Sequence, residues 1–379
     1  MKTLSLFSGC GGLDIGFEAA GFITSLAVDT LEPATSTFRQ NMPSVRVFGP
    51  PIESGDIRDL TPKKLHSLIS IEPEELDMMI GGPPCQPFSV AAAQRFLSDD
   101  PRFKRIGFDS ADKGQLIFNY VKLIKSMRPK AFLIENVPGI LTLDGGSGIE
   151  QVYLELGKAG YTISDPFVLN AMDFGVPQSR VRAFVIGSLN GKRVTPPSRT
   201  HGTTENLLQQ RHVSVAQALY GLSDEMPNSE LRSHKPESIK RYKEILPGQR
   251  EHLGRIDRLD PSRPSKTIIA GGSKGGGRSH LHPFEARTMS VRECARLQTF
   301  PDDFEFYGST GRQFTLVGNA VPPLLGEILA RQIRREIFGK TSTGELKLAV
   351  PHVDQKKAEK WLRATSQKRA PHLLYNDLN

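Results

Sequence analysis

Short apolar runs alternate with segments of helical spacing through the first half of the chain. The apolar runs predict strands at Thr3–Phe7, Phe22–Val28, Val45–Phe48, Leu76–Ile80, Ala131–Ile134 and Val181–Gly187. Helical spacing between them predicts helices at Leu13–Ala20, Glu32–Asn41 and Gln115–Ser126. Because strands separated by helices form βαβ units, the pattern predicts an α/β fold with a doubly wound, mainly parallel sheet.

The alternation stops after the last of these strands. Residues 190–288 are rich in Pro, Gly, Ser, Arg and His and contain few periodic runs, which indicates a second, irregular domain. Helical spacing returns at Ser290–Phe300 and at Pro322–Ile337. We therefore predict one domain over 1–187, an irregular domain over 188–288, a return to the first domain over 289–339, and a tail over 340–379 that is a short helix or disordered.

Charge is unevenly distributed along the chain. Residues 1–187 hold 18 Lys/Arg and 21 Asp/Glu, whereas residues 188–288 hold 17 and 10, and the tail holds 8 and 4. A polyanionic partner such as nucleic acid and a solvated basic surface explain this excess equally well. No apolar run reaches the length of a membrane span, so we expect no membrane association. Three cysteines cannot form a disulfide framework, which favours a reducing, cytoplasmic setting.

Chemistry-bearing residues follow the ends of the predicted strands, where parallel sheets bind ligands. The first strand runs into Ser8-Gly9-Cys10-Gly11-Gly12, whose glycines allow close approach to a ligand at a helix N-terminus. Asp29 and Asp56 are placed to accept hydrogen bonds from a ribose and from an adenine amino group. Taken singly, the glycines are equally well explained by a tight turn, and each acid is better explained as a helix N-cap or solvated loop residue.

Cys85 has prolines on both sides, in the sequence Pro83-Pro84-Cys85-Gln86-Pro87. A structural cysteine needs no such restraint, whereas a nucleophile does because its position limits the rate. Glu135 ends an apolar strand, where a carboxylate is costly to bury unless it has a function such as proton donation. Arg180 and Arg182 share one face if the strand extends that far, and could hold an anion, a base edge or Glu135.

Six segments, in order, resemble the motifs of the DNA (cytosine-5) methyltransferase family. They are Leu6–Gly12, Pro83–Ser89, Glu135–Val137, Gln178–Arg182, Arg292–Pro301 and Gly318–Pro323. Residues 190–255 match no motif, as expected of the family's variable target-recognition domain. The resemblance implies a Rossmann-like, S-adenosylmethionine-dependent catalytic domain at 1–187 and 289–339, and target recognition at 188–288.

The resemblance also implies an enzyme that methylates carbon 5 of a flipped-out cytosine in a specific DNA sequence. Cys85 would form a covalent adduct with the base, Glu135 would protonate N3, and Arg182 would hold O2 with Arg180 as its support. S-adenosyl-L-methionine would be converted to S-adenosyl-L-homocysteine, and no metal is implied.

The family's motifs assign further binding residues by position. Those for the cofactor are Phe7, Ser8, Gly9, Cys10, Gly11, Gly12, Asp29, Thr30, Asp56, Ile57, Pro84, Leu116, Asn319 and Val321. The resemblance also suggests DNA contacts at Gln86, and at Ser89 and Arg95 in a loop that closes over the DNA. Outside the motifs, Arg250, Arg255 and Arg258 are candidates to read base edges, because arginine can bond two acceptors on guanine. Asp29 is one methylene shorter than the family's glutamate, so we expect a lower cofactor affinity.

Three other classes of protein explain part of these features. An RNA methyltransferase of the same fold would carry a Cys-Phe-Thr tripeptide, which this sequence lacks. A non-catalytic DNA-binding relative is disfavoured by Cys85, Glu135 and Arg182, and a nicotinamide dehydrogenase leaves Pro-Cys-Gln unexplained. We expect a monomer acting on double-stranded DNA. The sequence decides neither the DNA site nor whether a cognate restriction endonuclease acts separately.

Overall fold

A computed structural model of the protein describes residues 1–84, 115–204, 209–251, 256–269 and 280–374. Its strands are β1 Lys2–Leu6, β2 Ile23–Val28, β3 Arg46–Phe48, β4 Met78–Gly81, β5 Ala131–Asn136, β6 Thr162–Ile163, β7 Phe167–Asn170, β8 Val181–Ser188, β9 His201–Gly202 and β10 Gln210–Arg211. Its helices are α1 Gly12–Ala19, α2 Glu32–Asn41, α3 Pro62–Ile69, α4 Leu116–Met127, α5 Ser147–Lys158, α6 Val215–Leu219, α7 Pro236–Lys243, α8 Val291–Leu297, α9 Thr310–Asn319, α10 Pro323–Glu336 and α11 Gln355–Arg369.

The larger sheet has the strand order β3-β2-β1-β4-β5-β8-β6, and β7 also pairs with β8. Strands β1 to β5 are parallel, whereas β8 runs antiparallel to both β5 and β6. The prediction of a mainly parallel, doubly wound α/β sheet is therefore confirmed. The strand order reverses between β1 and β4, and a crevice at the carboxyl ends of such neighbours is where α/β proteins bind ligands.

The central strands are buried on both faces. Met79 and Ile80 of β4 and Phe132 of β5 have no exposed surface. Such strands appear in sequence as continuous apolar runs, which is why they were predictable. The buried Tyr120 of α4 donates a hydrogen bond of 3.0 Å to the Leu133 carbonyl, so its hydroxyl is satisfied within the core.

Several elements differ from the sequence prediction. Helix α5 contains two glycines, which lower its helix propensity, and β6 has only two residues, so neither gives a strong pattern. Helix α8 begins with a capping box between Ser290 and Glu293 and ends before Thr299, whose φ of 65° is not helical. The tail contains the helix α11. Among the described helices, none is both long and apolar enough to cross a membrane.

The chain forms two compact units. The first consists of Met1–Leu169, Val181–Pro197 and Glu327–Glu345, and the second of Asn170–Arg180, Ser198–Gly326 and Leu346–Asn379. The predicted boundaries differ from these, because residues 289–326 and most of the tail belong to the second unit. The assignment of catalysis and target recognition to particular segments stays a prediction.

The second unit is largely irregular and is held together by buried polar side chains. Arg287 pairs with Glu285 and Glu293 at 2.6 and 2.8 Å, and all three side chains are almost fully buried. The Asn228 side chain donates to the Phe306 carbonyl and accepts from its amide at 3.0 and 2.8 Å. These bonds replace the regular hydrogen bonding that a sheet would supply.

Candidate active site

The turn between β1 and α1 has a backbone that favours glycine. Gly9 and Gly11 have φ angles of 55° and 89°, and Phe7 has a φ of 54°. A Cβ built at Gly11 would lie 3.0 Å from the Phe38 ring, so a larger residue would be crowded as well as strained. A non-glycine residue with positive φ is uncommon and often marks a functional turn. Ser8 fixes the turn by donating from its amide to the Val28 carbonyl at 3.0 Å.

Cys10 packs inside this turn. Its side chain is 1% exposed, and burial raises the pKa of its thiol to about 12. Because the thiolate is the nucleophilic form, this burial disfavours nucleophilic chemistry at Cys10. Cys294 is buried in the same way, and burial raises the pKa of its thiol still further.

Asp29 at the end of β2 is joined to this turn. Its Oδ2 accepts from the Gly9 amide and its Oδ1 from the Leu31 amide, both at 2.9 Å. Burial raises the pKa of Asp29, while these amide bonds act in the opposite direction. A carboxylate has about four acceptor positions, so the group retains capacity for ribose hydroxyls.

Two glycines bring the Asp56 loop against Asp29. A Cβ built at Gly49 would lie 2.3 Å from the Asp29 carbonyl oxygen, and one built at Gly55 would lie 1.9 Å from it. Only glycine allows this approach, which places Asp56 beside the end of β2. Sequence reasoning assigned no role to these glycines, although Gly55 directly precedes a predicted site residue.

Asp56 and its neighbours show how the predicted adenine side is built. The Asp56 carboxylate accepts from Arg58 Nε at 3.0 Å and from Nη2 at 2.6 Å, and Arg58 thereby lowers the pKa of Asp56. Ile57 is buried, whereas Thr30 is exposed. Phe7 and Leu116 are both half-buried and pack against the core of the first unit.

The Glu135 carboxylate lies between Arg182 and Gly82. Arg182 Nε is 3.0 Å from Glu135 Oε1, and the two side chains are only 15% and 12% exposed. In the antiparallel pairing of β5 with β8, Glu135 is opposite Phe184, so Arg182 is its diagonal neighbour within reach of a long side chain. A Cβ built at Gly82 would lie 2.7 Å from Glu135 Oε2, so the site depends on glycine there.

Asn136 fixes the backbone that leads to Cys85. Its Nδ2 donates to the Pro83 carbonyl at 3.1 Å, and its Oδ1 accepts from the Val137 amide at 2.9 Å. The side chain is 2% exposed. Pro84 follows as a half-buried residue at the edge of the described segment. Sequence reasoning gave Asn136 no role, although its place beside Glu135 in a motif was a signal.

Side-chain hydrogen bonds connect motif residues within the second unit. Gln178 Nε2 donates to Gln298 Oε1 at 3.0 Å, and Gln298 Nε2 donates to the Val317 carbonyl at 2.7 Å. The buried Arg180 donates from Nη2 to the Asn319 carbonyl at 3.2 Å. Three separate motifs are thus joined by side-chain hydrogen bonds. The predicted support of Arg182 by Arg180 stays a prediction.

Asn319 and Val321 were predicted to contact the cofactor from the C-terminal part of the chain. Asn319 ends α9 and is exposed, while Val321 is 7% exposed. Both residues belong to the second unit. The main-chain carbonyl of Asn319 accepts from Arg180. Their contact with a cofactor stays a prediction.

The predicted DNA-binding residues fall into three groups. Arg250 pairs with Asp257 at 3.0 Å but its side chain is 59% exposed, so it remains accessible to a ligand. Arg258 is 1% exposed and donates to the main-chain carbonyls of Tyr242, Ile245, His282 and Glu285, which corrects the prediction that it reads a base. Sequence could not reveal this burial, because an arginine in a polar loop usually lies at the surface. The predicted site residues outside the described segments are Cys85, Gln86, Ser89, Arg95 and Arg255.

Comparison with known proteins identifies the family. Residues 1–335 match the sequence model of the C-5 cytosine-specific DNA methylase family. The type II methyltransferase M.NgoFVII of Neisseria gonorrhoeae is 35% identical over 343 residues, which cover 85% of this chain and 83% of the relative. The type II methyltransferase M1.HphI of Haemophilus parahaemolyticus is 32% identical over 346 residues, which cover 88% and 86%.

A solved structure supports the fold. A protein described as a DNA modification methyltransferase, encoded within an E. coli prophage, superimposes with a TM-score of 0.71 at 24% identity, covering 90% of this chain and 100% of that one. At this identity the likeness concerns the fold alone. The family match rests on the sequence. The chain belongs to the C-5 cytosine-specific DNA methylase family, and it is a methyltransferase that transfers a methyl group from S-adenosylmethionine to carbon 5 of cytosine in a specific DNA sequence.

Proposed function

We propose that Cys85 is the covalent nucleophile of this reaction and that Glu135 is its proton donor. The observation that carries the proposal is the fixed position of Glu135. Its carboxylate is 3.0 Å from Arg182 and packs against Gly82, three residues before Cys85. Asn136 restrains the intervening backbone through Pro83. A carboxylate held this firmly is preorganised for one proton transfer.

The proposed chemistry begins at carbon 6 of the cytosine. The Cys85 sulfur forms a bond to carbon 6 while Glu135 protonates N3, and the electron pair of the double bond becomes available at carbon 5. Arg182 donates hydrogen bonds to O2 and orients the ring. S-adenosylmethionine, when bound, supplies the electrophilic methyl group that carbon 5 receives. A base then removes the proton from carbon 5, the carbon 6–sulfur bond breaks, and N3 returns its proton to Glu135, so that the double bond, the free thiolate and the acid are restored.

The residues of the first unit fit the cofactor proposed for them. The Asp29 carboxylate is held beside Gly9 and accepts two amide hydrogen bonds, with capacity left for ribose hydroxyls. A Cβ built at Gly9 would meet no atom within 4 Å, so space is open beside the turn. Phe7 and Leu116 supply apolar surface for the adenine. The reaction as written uses side chains and S-adenosylmethionine, and it includes no metal-dependent step.

We infer that residues 188–288 provide DNA recognition. The segment has 17 Lys/Arg against 10 Asp/Glu, and Arg250 presents an exposed guanidinium. In protein–DNA complexes, contacts to phosphates give affinity and contacts to base edges give specificity. We therefore expect residues 188–288 to contain both phosphate-binding and base-reading side chains. Gln86, Ser89 and Arg95 remain candidate DNA contacts by resemblance, and Arg255 remains one because arginine can bond base edges.

The relatives suggest a biological setting. Both named relatives are type II methyltransferases, so we propose that this enzyme protects DNA against a restriction endonuclease that acts separately. We further propose that it acts on double-stranded DNA as a monomer in the cytoplasm. Bisulfite sequencing of methylated random-sequence DNA would define the site, and light scattering would test the monomer.

Replacement of Cys85 tests the catalytic proposal. The Cys85→Ser variant should lose methyl transfer and keep its DNA affinity, because the thiolate is needed only for chemistry. The Cys294→Ala variant is the matched control, and it should retain methyl transfer because that thiol is buried and protonated. Methylation by Cys85→Ser at the wild-type rate would refute the proposal.

A further inference from the structure

The helix α11 lies outside the residues 1–335 that characterise the family, yet it is an integral part of the second unit. Ala358, Leu362 and Ser366 are buried along one face. The Trp361 ring lies 5.3 Å from that of Tyr220. The last residue, Arg369, pairs with Asp224 at 2.6 Å, and the first, Gln355, accepts from Ser214 Oγ at 2.5 Å, so both ends of the helix are fixed in place.

The opposite face of α11 is strongly basic. Its exposed cations are Lys356, Lys357, Lys360, Arg363 and Lys368. Within the described part of the chain, none of the five forms an ion pair. Two have aromatic neighbours, since Arg363 lies 4.6 Å from the Phe284 ring and Lys357 lies 5.8 Å from that of Tyr220. Lys356, Lys360 and Lys368 have no such contact and form the basic face considered below.

Helix stability accounts for Lys368, which stands in the last turn where the dipole favours a cation, but not for Lys356 and Lys360. Lys356 stands in the first turn, where the helix dipole disfavours a cation. Lys356 and Lys360 are four residues apart, where like charges repel. Positive charge that weakens its own helix, without a compensating contact, is typical of a functional surface.

We propose that the basic face of α11 contacts the phosphate backbone of double-stranded DNA without reading its sequence. The three lysines span twelve residues, or about 18 Å of helix, which matches the axial length of about five base steps. DNA is the enzyme's substrate, and the face belongs to the same compact unit as the basic segment 198–288. The inference goes beyond the proposed catalytic residues and depends only on DNA being the substrate.

The experiment measures the salt dependence of DNA binding by the full-length protein. Fluorescence anisotropy with a 40-base-pair duplex would give the slope of log affinity against log salt for the wild type and for Lys356→Gln/Lys360→Gln/Lys368→Gln. Each lost phosphate contact lowers the slope by about 0.9, so we expect a slope smaller by roughly 2 to 3 and an affinity at least about tenfold weaker in low salt. The turnover number at saturating DNA should be unchanged.

Two matched variants decide the outcome. Lys63→Gln/Lys122→Gln/Lys158→Gln removes the same charge from exposed sites of the first unit and should leave the slope unchanged. Replacing the three α11 lysines by arginine should also preserve the slope. An unchanged slope in the α11 glutamine variant, or an equal loss in the first-unit variant, would overturn the proposal. Loss of methyl transfer by Cys85→Ser is measured separately, so failure of one proposal is distinguishable from failure of the other.

Discussion

At the scale of single residues, the site depends on the small space around the Glu135 carboxylate. We predict that Gly82→Ala lowers turnover roughly tenfold to a hundredfold, because the added Cβ would lie 2.7 Å from Oε2 and displace the acid. Gly157→Ala in α5 is the control, since its Cβ would meet nothing within 4 Å. Rates of methyl transfer would show the difference, and an active Gly82→Ala variant would argue against a fixed acid.

The charge of Glu135 can be tested without changing its shape. Glu135→Gln should lower turnover by about a hundredfold or more, the usual contribution of a general acid, and should leave the affinity for DNA nearly unchanged. Glu150→Gln, an exposed replacement of the same kind, should have no effect on turnover. If Glu135→Gln kept wild-type turnover, another group would have to protonate N3.

The sequence indicated candidate site residues more readily than the residues that hold them in place. Glu135 and Asp29 follow apolar strands, so a position at the ligand-binding edge could be inferred. The contact of Asn136 with Pro83, and the glycines that pack on Asp29, depend on distances between segments far apart in the chain. Arg258 was misjudged because nothing local distinguishes an arginine that holds carbonyls from one that faces solvent.

At the scale of elements, α1 carries a buried acid whose titration should affect stability. Asp14 accepts from Thr24 at 3.3 Å, and burial raises the pKa of its carboxyl from 3.8 to about 7. The native state therefore holds this proton more tightly than the unfolded chain. The resulting stabilisation is complete below about pH 4 and is lost as the pH rises to 7.

Replacing Asp14 should remove this dependence. Asp14→Asn cannot ionise, so its melting temperature should exceed that of the wild type at pH 8, and the difference should shrink at pH 5. Asp165→Asn, at an exposed position, should change the melting temperature by the same amount at pH 8 and at pH 5. Calorimetry at both pH values would measure this, and an Asp14→Asn variant with no advantage at pH 8 would contradict the buried ionisation.

Element prediction succeeded where burial gives a pattern. The central strands β4 and β5 are largely apolar because both of their faces are covered, and α2 begins and ends where predicted. Helix α8 is shorter than predicted because Thr299 leaves the helical conformation and its hydroxyl accepts from the Leu324 amide at 3.1 Å. That contact joins residues 25 positions apart, so local spacing could not reveal it.

At the scale of the whole molecule, recognition and chemistry should be separable. Exchanging residues 190–287 for those of a relative with another DNA site should transfer the new specificity and leave Cys85 chemistry unchanged. The exchange must keep arginine at 287, because Arg287 pairs with the buried Glu293 beyond the exchanged segment. Without Arg287, Glu293 would keep the longer contact with Arg369 at 3.7 Å, and the loss should cost several kcal/mol, up to roughly 3 to 5, of folding stability.

Bisulfite sequencing of DNA methylated by the chimera would identify its site. The control is a chimera made in the same way but with glutamine at 287, which should melt at a lower temperature. A folded, active chimera that still marks the original site would place recognition in the remaining segments.

The central claim is that Cys85 forms a bond to the target cytosine. It is tested most directly with duplex DNA containing 5-fluorocytosine at the methylated position, in the presence of S-adenosylmethionine. Fluorine at carbon 5 cannot leave as a proton, so the final elimination is blocked and the enzyme should stay attached to the DNA. Peptide mapping by mass spectrometry should locate the bond at Cys85. An adduct at Cys10 or Cys294, or no adduct from an enzyme that methylates ordinary cytosine, would contradict the account.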